Sequence, residues 1–563
     1  MHIHFNPSSD VDWERFFKQQ AEQHGAGISN PFRGYAYQRG TGIGDIFRGV
    51  FRYIMPIIKR ASVKNELFNT GSRILNDLAH GEKVSHSIKK QGLEGAKNMV
   101  KNYNHSGGAR KRRSNLIDAS SEPVSLSELD LFSIPPTQVA VVDQKYREIH
   151  PVNPIQDAGP FTFRVLMDKN HLQLSKNFLY VKFKITDQSD KPIPETFTNV
   201  AGDVVDNTKI APIQGLGSTF IQSAKLFIGQ HLAEDTGNLY PWRVAMETEF
   251  SYDKLAKETN LAPRLYVPTS GKNIGNDNDE GHLGRYELTK NGHEFETFAP
   301  LHMSFFRQSR LLPNLLDLSV HITRNSDAFL LKKYDNINPG QTFKLKILDM
   351  KLYIKEFTLN DSVSLGLEKT LLSQHLARYP QTAVRLANVH VSAGRVSSPD
   401  CAVFTQVVPK RVLVGLVNTK ALFGDSSLDP LCFGDYGVRE VKLEINGRSY
   451  PYNRVEMDFA NNRFLMAYQQ TIDALGMLDS RKSCSVTPEM FKSGGFTLFA
   501  FDITSNCNDQ TFSFITNGTT RLTLNFNAPV PQHGVSAIVL GEFDQLQNID
   551  ASRTVFSDVA NVK

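Results

Sequence analysis

Apolar and polar residues alternate along Ile221–Ile228 (IQSAKLFI) and again along Val438–Ile445 (VREVKLEI). A period of two predicts β-strands that place one face in a core. The two stretches also share a frame. Ala224-Lys225-Leu226-Phe227-Ile228-Gly229 parallels Val441-Lys442-Leu443-Glu444-Ile445-Asn446-Gly447, 217 positions later at the lysine–leucine step. In each copy a Tyr-Pro pair follows (Tyr240-Pro241, Tyr450-Pro451), then an aromatic residue and an arginine (Trp242-Arg243, Tyr452 and Arg454). Leu316–Ile322 and Arg521–Phe526 form a second matched pair of alternating strands. Ile347–Phe357 closes the first half as Val535–Phe543 closes the second. Three matched strands in one order predict two similar β domains in tandem.

The pattern divides the rest of the chain. Strands are further predicted at Phe161–Val165, Phe178–Ile185, Phe343–Phe357, Arg385–Val391, Arg411–Val417 and Phe496–Ile503. A short helix is predicted at Pro241–Tyr252, and a helix joining the halves at Asp361–Tyr379. Gly271–Gly284 (GKNIGNDNDEGHLG) is a polar surface loop on composition. Before residue 120 the periodicity is helical. Ile43, Ile46, Phe47, Val50, Phe51, Ile54 and Ile58 recur at spacings of three and four, with Arg48, Arg52 and Lys59 off that stripe. Pro56 bends or ends this helix near Met55. Such a basic amphipathic helix either lies in a membrane interface or docks into a groove of its own protein. The expected organisation is a basic, mostly helical arm at 1–120, β domains at 121–360 and 381–550 linked by 361–380, and a tail at 551–563.

Charge sharpens that division. Net charge is +5, yet residues 33–113 carry 17 Lys and Arg against 5 Asp and Glu, leaving the remainder about −7. A basic arm on an acidic body meets nucleic acid, an acidic partner or a membrane surface. The cluster Arg110, Lys111, Arg112 and Arg113 is read as a nuclear import signal, a phosphate-binding patch or a solvated linker. The four cysteines (Cys401, Cys432, Cys484, Cys507) form no C-x-x-C pair, which argues against zinc and for a reducing compartment. No apolar run reaches the roughly 18 residues of a membrane span. Gln38–Gly44 is glycine-rich but lacks the Gly-Lys-Ser/Thr ending of a phosphate loop. No H-E-x-x-H or G-x-S-x-G appears, and Asp317 and His321 read as ordinary strand polar groups. Catalysis, cofactor binding and metal binding are not expected.

These residues resemble a known family. Ser127–Gln138 (SELDLFSIPPTQ), Phe178-Leu179-Tyr180-Val181, Tyr240-Pro241-Trp242-Arg243, Ser326-Asp327-Ala328-Phe329, Pro409-Lys410-Arg411-Val412 and Gly541-Glu542-Phe543-Asp544 are similar, in order, to motifs of major capsid proteins of Polinton/Maverick elements and adintoviruses. The resemblance spans about residues 125–550. It implies a mainly β, hexon-like double jelly-roll fold: two tandem antiparallel sandwiches forming a homotrimer that tiles an icosahedral shell. The implied setting is the virion capsid, with assembly in the host nucleus beside a penton-type minor capsid protein. The arm resembles the adenovirus protein VI type, an internal cement and membrane-active precursor, which implies contact with genomic DNA or membrane. It also implies a candidate processing site for a viral cysteine protease at Gly107, Gly108 and Ala109, although His105 stands where an apolar residue is favoured. The rival reading is a host-domesticated, lectin-like jelly-roll binding protein.

Overall fold

The computed structural model describes residues 137–557, except 157–158, 194–195, 199–203, 207–208, 275–277, 334–341, 479, 481–482 and 505–510. Among the described residues, eight strands of each half build its two main sheets, with a few short strands outside them. The first half has β1 (Val141–Ile149), β2 (Phe161–Leu166), β3 (His171–Asp187), β4 (Ile221–Ile228), β5 (His231–Asp235), β6 (Glu294–Ala299), β7 (Asp317–Arg324) and β8 (Phe343–Leu359). The second has β9 (Ala377–Val391), β10 (Cys401–Phe404), β11 (Arg411–Asn418), β12 (Val438–Ile445), β13 (Arg448–Tyr450), β14 (Leu498–Asp502), β15 (Thr520–Phe526) and β16 (Val535–Ile549).

Both halves are wired alike. The first has sheets ordered β1-β8-β3-β6 and β2-β7-β4-β5; the second has β9-β16-β11-β14 and β10-β15-β12-β13. Adding eight to each strand number converts the first order into the second. All these pairings are antiparallel. Two such sheets face to face form a jelly roll, so the chain is a mainly β double jelly roll. One contiguous apolar cluster runs through both halves.

The duplication reaches single residues. β4 buries Ile221, Ser223, Ala224, Leu226 and Ile228; β12 buries Val438, Glu440, Val441, Leu443 and Ile445. Two adjacent buried residues interrupt each alternation, and the register says why. The ladder to β7 skips Gln222, and the ladder to β15 skips Arg439. A β-bulge therefore stands at the same place in both halves. Both strands then reverse in two residues, Gly229-Gln230 and Asn446-Gly447. Gly229, Asn446 and Gly447 take φ 61, 49 and 77, values open to glycine and asparagine at little cost.

Three sequence expectations are corrected. The Tyr-Pro match is not a structural equivalence. Tyr450 closes β13 opposite Leu443, whereas Tyr240 opens helix α1 (Tyr240–Ser251) after a longer connection. Gly271–Gly284 is not all loop, because helix α2 (Glu280–Thr289) begins inside it, capped by the Asp279 carboxylate accepting from Gly281 N at 3.1 Å. Gly284 serves close packing rather than flexibility: a Cβ there would stand 2.7 Å from Val267 Cγ1. The linking helix α3 (Asp361–Leu372) stops before Tyr379. From Ala377 the chain is strand, paired with β16 from Ala377↔Ile549 to Val391↔Val535. Pro380 is tolerated because β9 is an edge strand.

Candidate assembly site

The two jelly rolls meet along a seam organised by α1. Ten of its twelve residues are buried, including Arg243, Glu247 and Glu249, so it has no ordinary solvent face. Pro241 fits its first turn, where a backbone N–H has no helical partner. Arg243 is fully buried and bridges Glu247 and Glu234 at 3.0 Å each, with its third nitrogen 3.2 Å from Ser304 Oγ. The Glu234 carboxylate also accepts Ser304 N and Phe305 N at 2.7 and 3.1 Å. Glu247 receives His302 Nδ1 at 2.8 Å and Arg307. Burial opposes the Arg243 charge, but Glu247 and Glu234 overcome it and hold the guanidinium above its ordinary pKa. Burial likewise opposes ionisation of Glu247, but Arg307 and Arg243 keep it well below the usual carboxylate range. The cluster is a neutralised polar centre inside an apolar wall.

Like ends of the two jelly rolls touch. At one end Trp242 Nε1 donates to Pro430 O at 2.9 Å, Lys257 Nζ to Cys484 O at 3.1 Å, and Lys333 N to Ser426 O at 2.7 Å. At the other end Tyr379 Oη donates to Leu311 O at 3.0 Å. There Arg553 donates to Asn314 O and Oδ1 at 2.8 Å each, and pairs with Glu368 of α3. A cavity of about 60 Å³ lies within the seam, lined by Val244, Thr248 and Tyr266 from one side and Cys432, Phe433 and Phe496 from the other. Trp242→Phe keeps an aromatic ring near Phe329, whose ring lies 5.3 Å from the indole, but deletes the bond to Pro430 and part of a buried ring system. It is expected to cost about 2 kcal/mol, about half for the buried hydrogen bond and half for the space left, read as a lower urea midpoint.

The outward face of sheet β1-β8-β3-β6 presents a second feature. Phe178 of β3 stands 5.1 Å from Tyr146, 5.8 Å from Phe298 and 5.0 Å from Tyr353, and Tyr180 lies 5.0 Å from Phe298. Four strands thus contribute to one aromatic patch. Lysines beside it are held by carboxylates: Lys182–Glu294 at 2.5 Å and Lys351–Glu148 at 2.9 Å. Lys355 lies 5.8 Å above the Tyr146 ring. An aromatic centre within a charged rim is the composition of a protein interface. The matching face in the second jelly roll is covered by its own chain. Leu413, Leu498, Ile538 and Leu540 are all buried there. Phe433 lies where a Cβ on Gly415 would be 2.5 Å away. Helix α4 (Leu465–Ala474) lies beside β14, with Ala500 N donating to Thr471 Oγ1 at 3.3 Å.

Several motifs singled out in the sequence meet here. Pro409–Val412 and Gly541–Asp544 lie on paired strands, where Lys410 reaches Asp544 at 3.4 Å and Arg411 reaches Glu542 at 3.5 Å. The Trp242 and Phe329 motifs touch ring to ring. Asp317 pairs with Arg164 at 2.7 Å and His321 Nε2 lies 2.7 Å from Ser319 Oγ, so neither marks a reaction centre. The helical stripe from Ile43 to Ile58, the Arg110–Arg113 cluster and the candidate processing site at Gly107–Ala109 lie outside the described residues. Cys401, Cys432 and Cys484 are free thiols. Among the described residues no cluster of three His, Cys, Asp or Glu could hold a metal, and no helix is long and apolar enough to cross a membrane. Sequence reasoning missed Arg243 as a buried ion centre, and missed Tyr146, Phe298 and Tyr353 as neighbours of Phe178.

No family model matches the chain. The uncharacterized protein F54H12.2 of Caenorhabditis elegans is 27% identical over 430 residues, covering 76% of this chain and 99% of the nematode protein. Among solved structures, a chain of the Sputnik virophage matches with a TM-score of 0.51 at 11% identity, covering 80% of this chain and 95% of that one. The mavirus major capsid protein matches with a TM-score of 0.48 at 11% identity, covering 78% and 96%. The Sputnik match and the strand wiring agree on the fold.

Proposed function

We propose that this chain is a structural capsid protein whose copies build the shell of a virus or virus-like mobile element. The observation that carries the reading is the double jelly roll, with its likeness to a Sputnik virophage chain over 95% of that chain. The role is architectural, not enzymatic. A nematode relative matched over 99% of its own length fits an element carried in animal genomes, as the resemblance to Polinton/Maverick and adintovirus proteins implies.

In this reading three chains stand upright side by side. Six jelly rolls then approximate a hexagon, and such trimers tile an icosahedral lattice with a minor capsid protein at the fivefold positions. The arm faces the interior, where its +12 charge meets genomic DNA and its helical stripe meets the capsomer underside or a membrane. The Arg110–Arg113 cluster serves nuclear import before assembly, and a viral cysteine protease cuts near Gly107-Gly108. Light scattering and electron microscopy of the purified full chain test the core of the proposal. The expected species is a trimer near 190 kDa, three times 63.2 kDa, with a hexagonal outline. A chain that stays monomeric at all concentrations would overturn it.

A further inference from the structure

The aromatic face of the first jelly roll is half-exposed, while the matching face of the second is buried beneath its own loop and helix. A duplicated fold that covers one face within the chain and leaves its twin open needs a cover from elsewhere. The second jelly roll carries a candidate. Between β14 and β15, Phe512, Phe514 and Ile515 are 52%, 99% and 55% exposed. The segment itself is fixed: Ser513 N donates to Asp544 Oδ2 at 2.8 Å, and Val408 N donates to Thr516 O at 2.9 Å. A phenylalanine held fully in solvent by an ordered backbone makes no contribution to its own core.

Chemistry and position agree. Of the lysines bordering the aromatic centre, Lys182 and Lys351 are neutralised by Glu294 and Glu148, and residues 511–516 (TFSFIT) carry no charge, so an uncharged apolar segment meets an aromatic face without burying an unpaired ion. Phe298 sits one residue before the end of β6, and Phe514 lies in the connection that leaves β14, the counterpart of β6. Like ends of the jelly rolls lie together within the chain, so the two features stand at the same end. Their surfaces differ, so the contact is heterologous, the kind that builds a ring where its rotation closes.

We infer that the outward face of β1-β8-β3-β6 in one copy receives the Phe512–Ile515 segment of a second copy, with Phe514 seated among Tyr146, Phe178, Phe298 and Tyr353. This rests on the assembly reading above and assigns the surface through which it works. An exposed apolar segment thereby meets an exposed aromatic centre.

The test uses the full chain in two experiments. In the first, Phe514→Asp and Phe298→Asp are compared with wild type by light scattering across a dilution series. Both are expected to weaken association about thirtyfold or more, about 2 kcal/mol at 1.4 kcal/mol per tenfold. Phe514→Asp should leave the monomer's melting temperature unchanged, because its side chain touches nothing in its own chain. In the second, a photo-crosslinking phenylalanine analogue at position 514 is placed in an isotope-labelled chain mixed with unlabelled chain. Adducts should join labelled 514 to unlabelled peptides containing residues 141–149, 171–187, 294–299 or 343–359. A wild-type trimer whose Phe514→Asp variant still assembles normally would overturn this contact and leave the assembly reading standing. So would adducts that fall on residues 33–113 or elsewhere. A monomeric wild type would remove both.

Discussion

Arg243→Met is expected to destabilise the chain by about 3–5 kcal/mol, the cost of stripping one partner from a buried ion cluster. The side chain is fully buried, and it neutralises two carboxylates whose side chains are only 12% and 4% exposed. Methionine fills similar volume, so the loss is electrostatic rather than a cavity. Glu247 keeps His302 and Arg307 as partners, and Glu234 keeps two backbone N–H groups. That residual support places the effect within the stated range rather than above it. Arg243→Lys should also be costly, because an ammonium group cannot reach Glu234, Glu247 and Ser304 with one planar fork. The companion Arg243→Met/Glu234→Gln should recover part of the loss, because Glu234 is the carboxylate left without a cation. Urea unfolding of all three decides the point. A single Arg243→Met variant within about 1 kcal/mol of wild type would mean the carboxylates are satisfied without it.

The position of Arg243 also marks a limit on what a sequence discloses. The alternation of β4 and β12, their equal frames and the strands that follow them were legible, because a duplicated sandwich repeats its inward positions at a period of two. The bulges at Gln222 and Arg439 were not, since an extra residue in a ladder is visible only against the opposite strand. β1 was missed because an edge strand needs no alternation, and eight of its nine residues are exposed or half-exposed, polar and apolar alike. Helix α2 hid behind glycines that looked like loop. Arg243 stood out only as part of a repeated frame, because nothing local tells that Glu234, Ser304 and Arg307 converge on α1. The aromatic patch was half legible: Phe178 and Tyr180 share one face of an alternating strand, but Tyr146, Phe298 and Tyr353 arrive from three other strands.

Acid is expected to destabilise the folded chain well before its carboxylates titrate. His171 and His282 are both buried, at 3% and 0% exposure. Burial, with Arg553 nearby, pushes His171 down to about 4. Burial, with Arg285 and Lys332 nearby and Asp429 opposing them, pushes His282 down to about 3. The neutral His282 ring is held by the carbonyl of Lys209, 2.6 Å from Nε2. Burial keeps His302 below its ordinary value as well, despite Glu247. An unfolded histidine binds its proton near pH 6.5. The unfolded chain therefore takes up protons that the folded chain excludes, and stability falls as pH drops from about 6.5 towards 4. Each of the two histidines should remove about 2 kcal/mol by pH 5, at about 1.4 kcal/mol per pH unit for each proton. Glu247 acts later and in the same direction. Its depressed pKa gives stability that is present above its unfolded value and lost as pH falls below it. Melting temperatures between pH 7.5 and 5 should fall steeply in wild type. His171→Gln and His282→Gln, neutral at every pH, should each flatten that slope even where they lower stability at pH 7.5. A melting temperature that stays level down to pH 5, or a slope unchanged in both variants, would show that these rings are protonated in the folded chain.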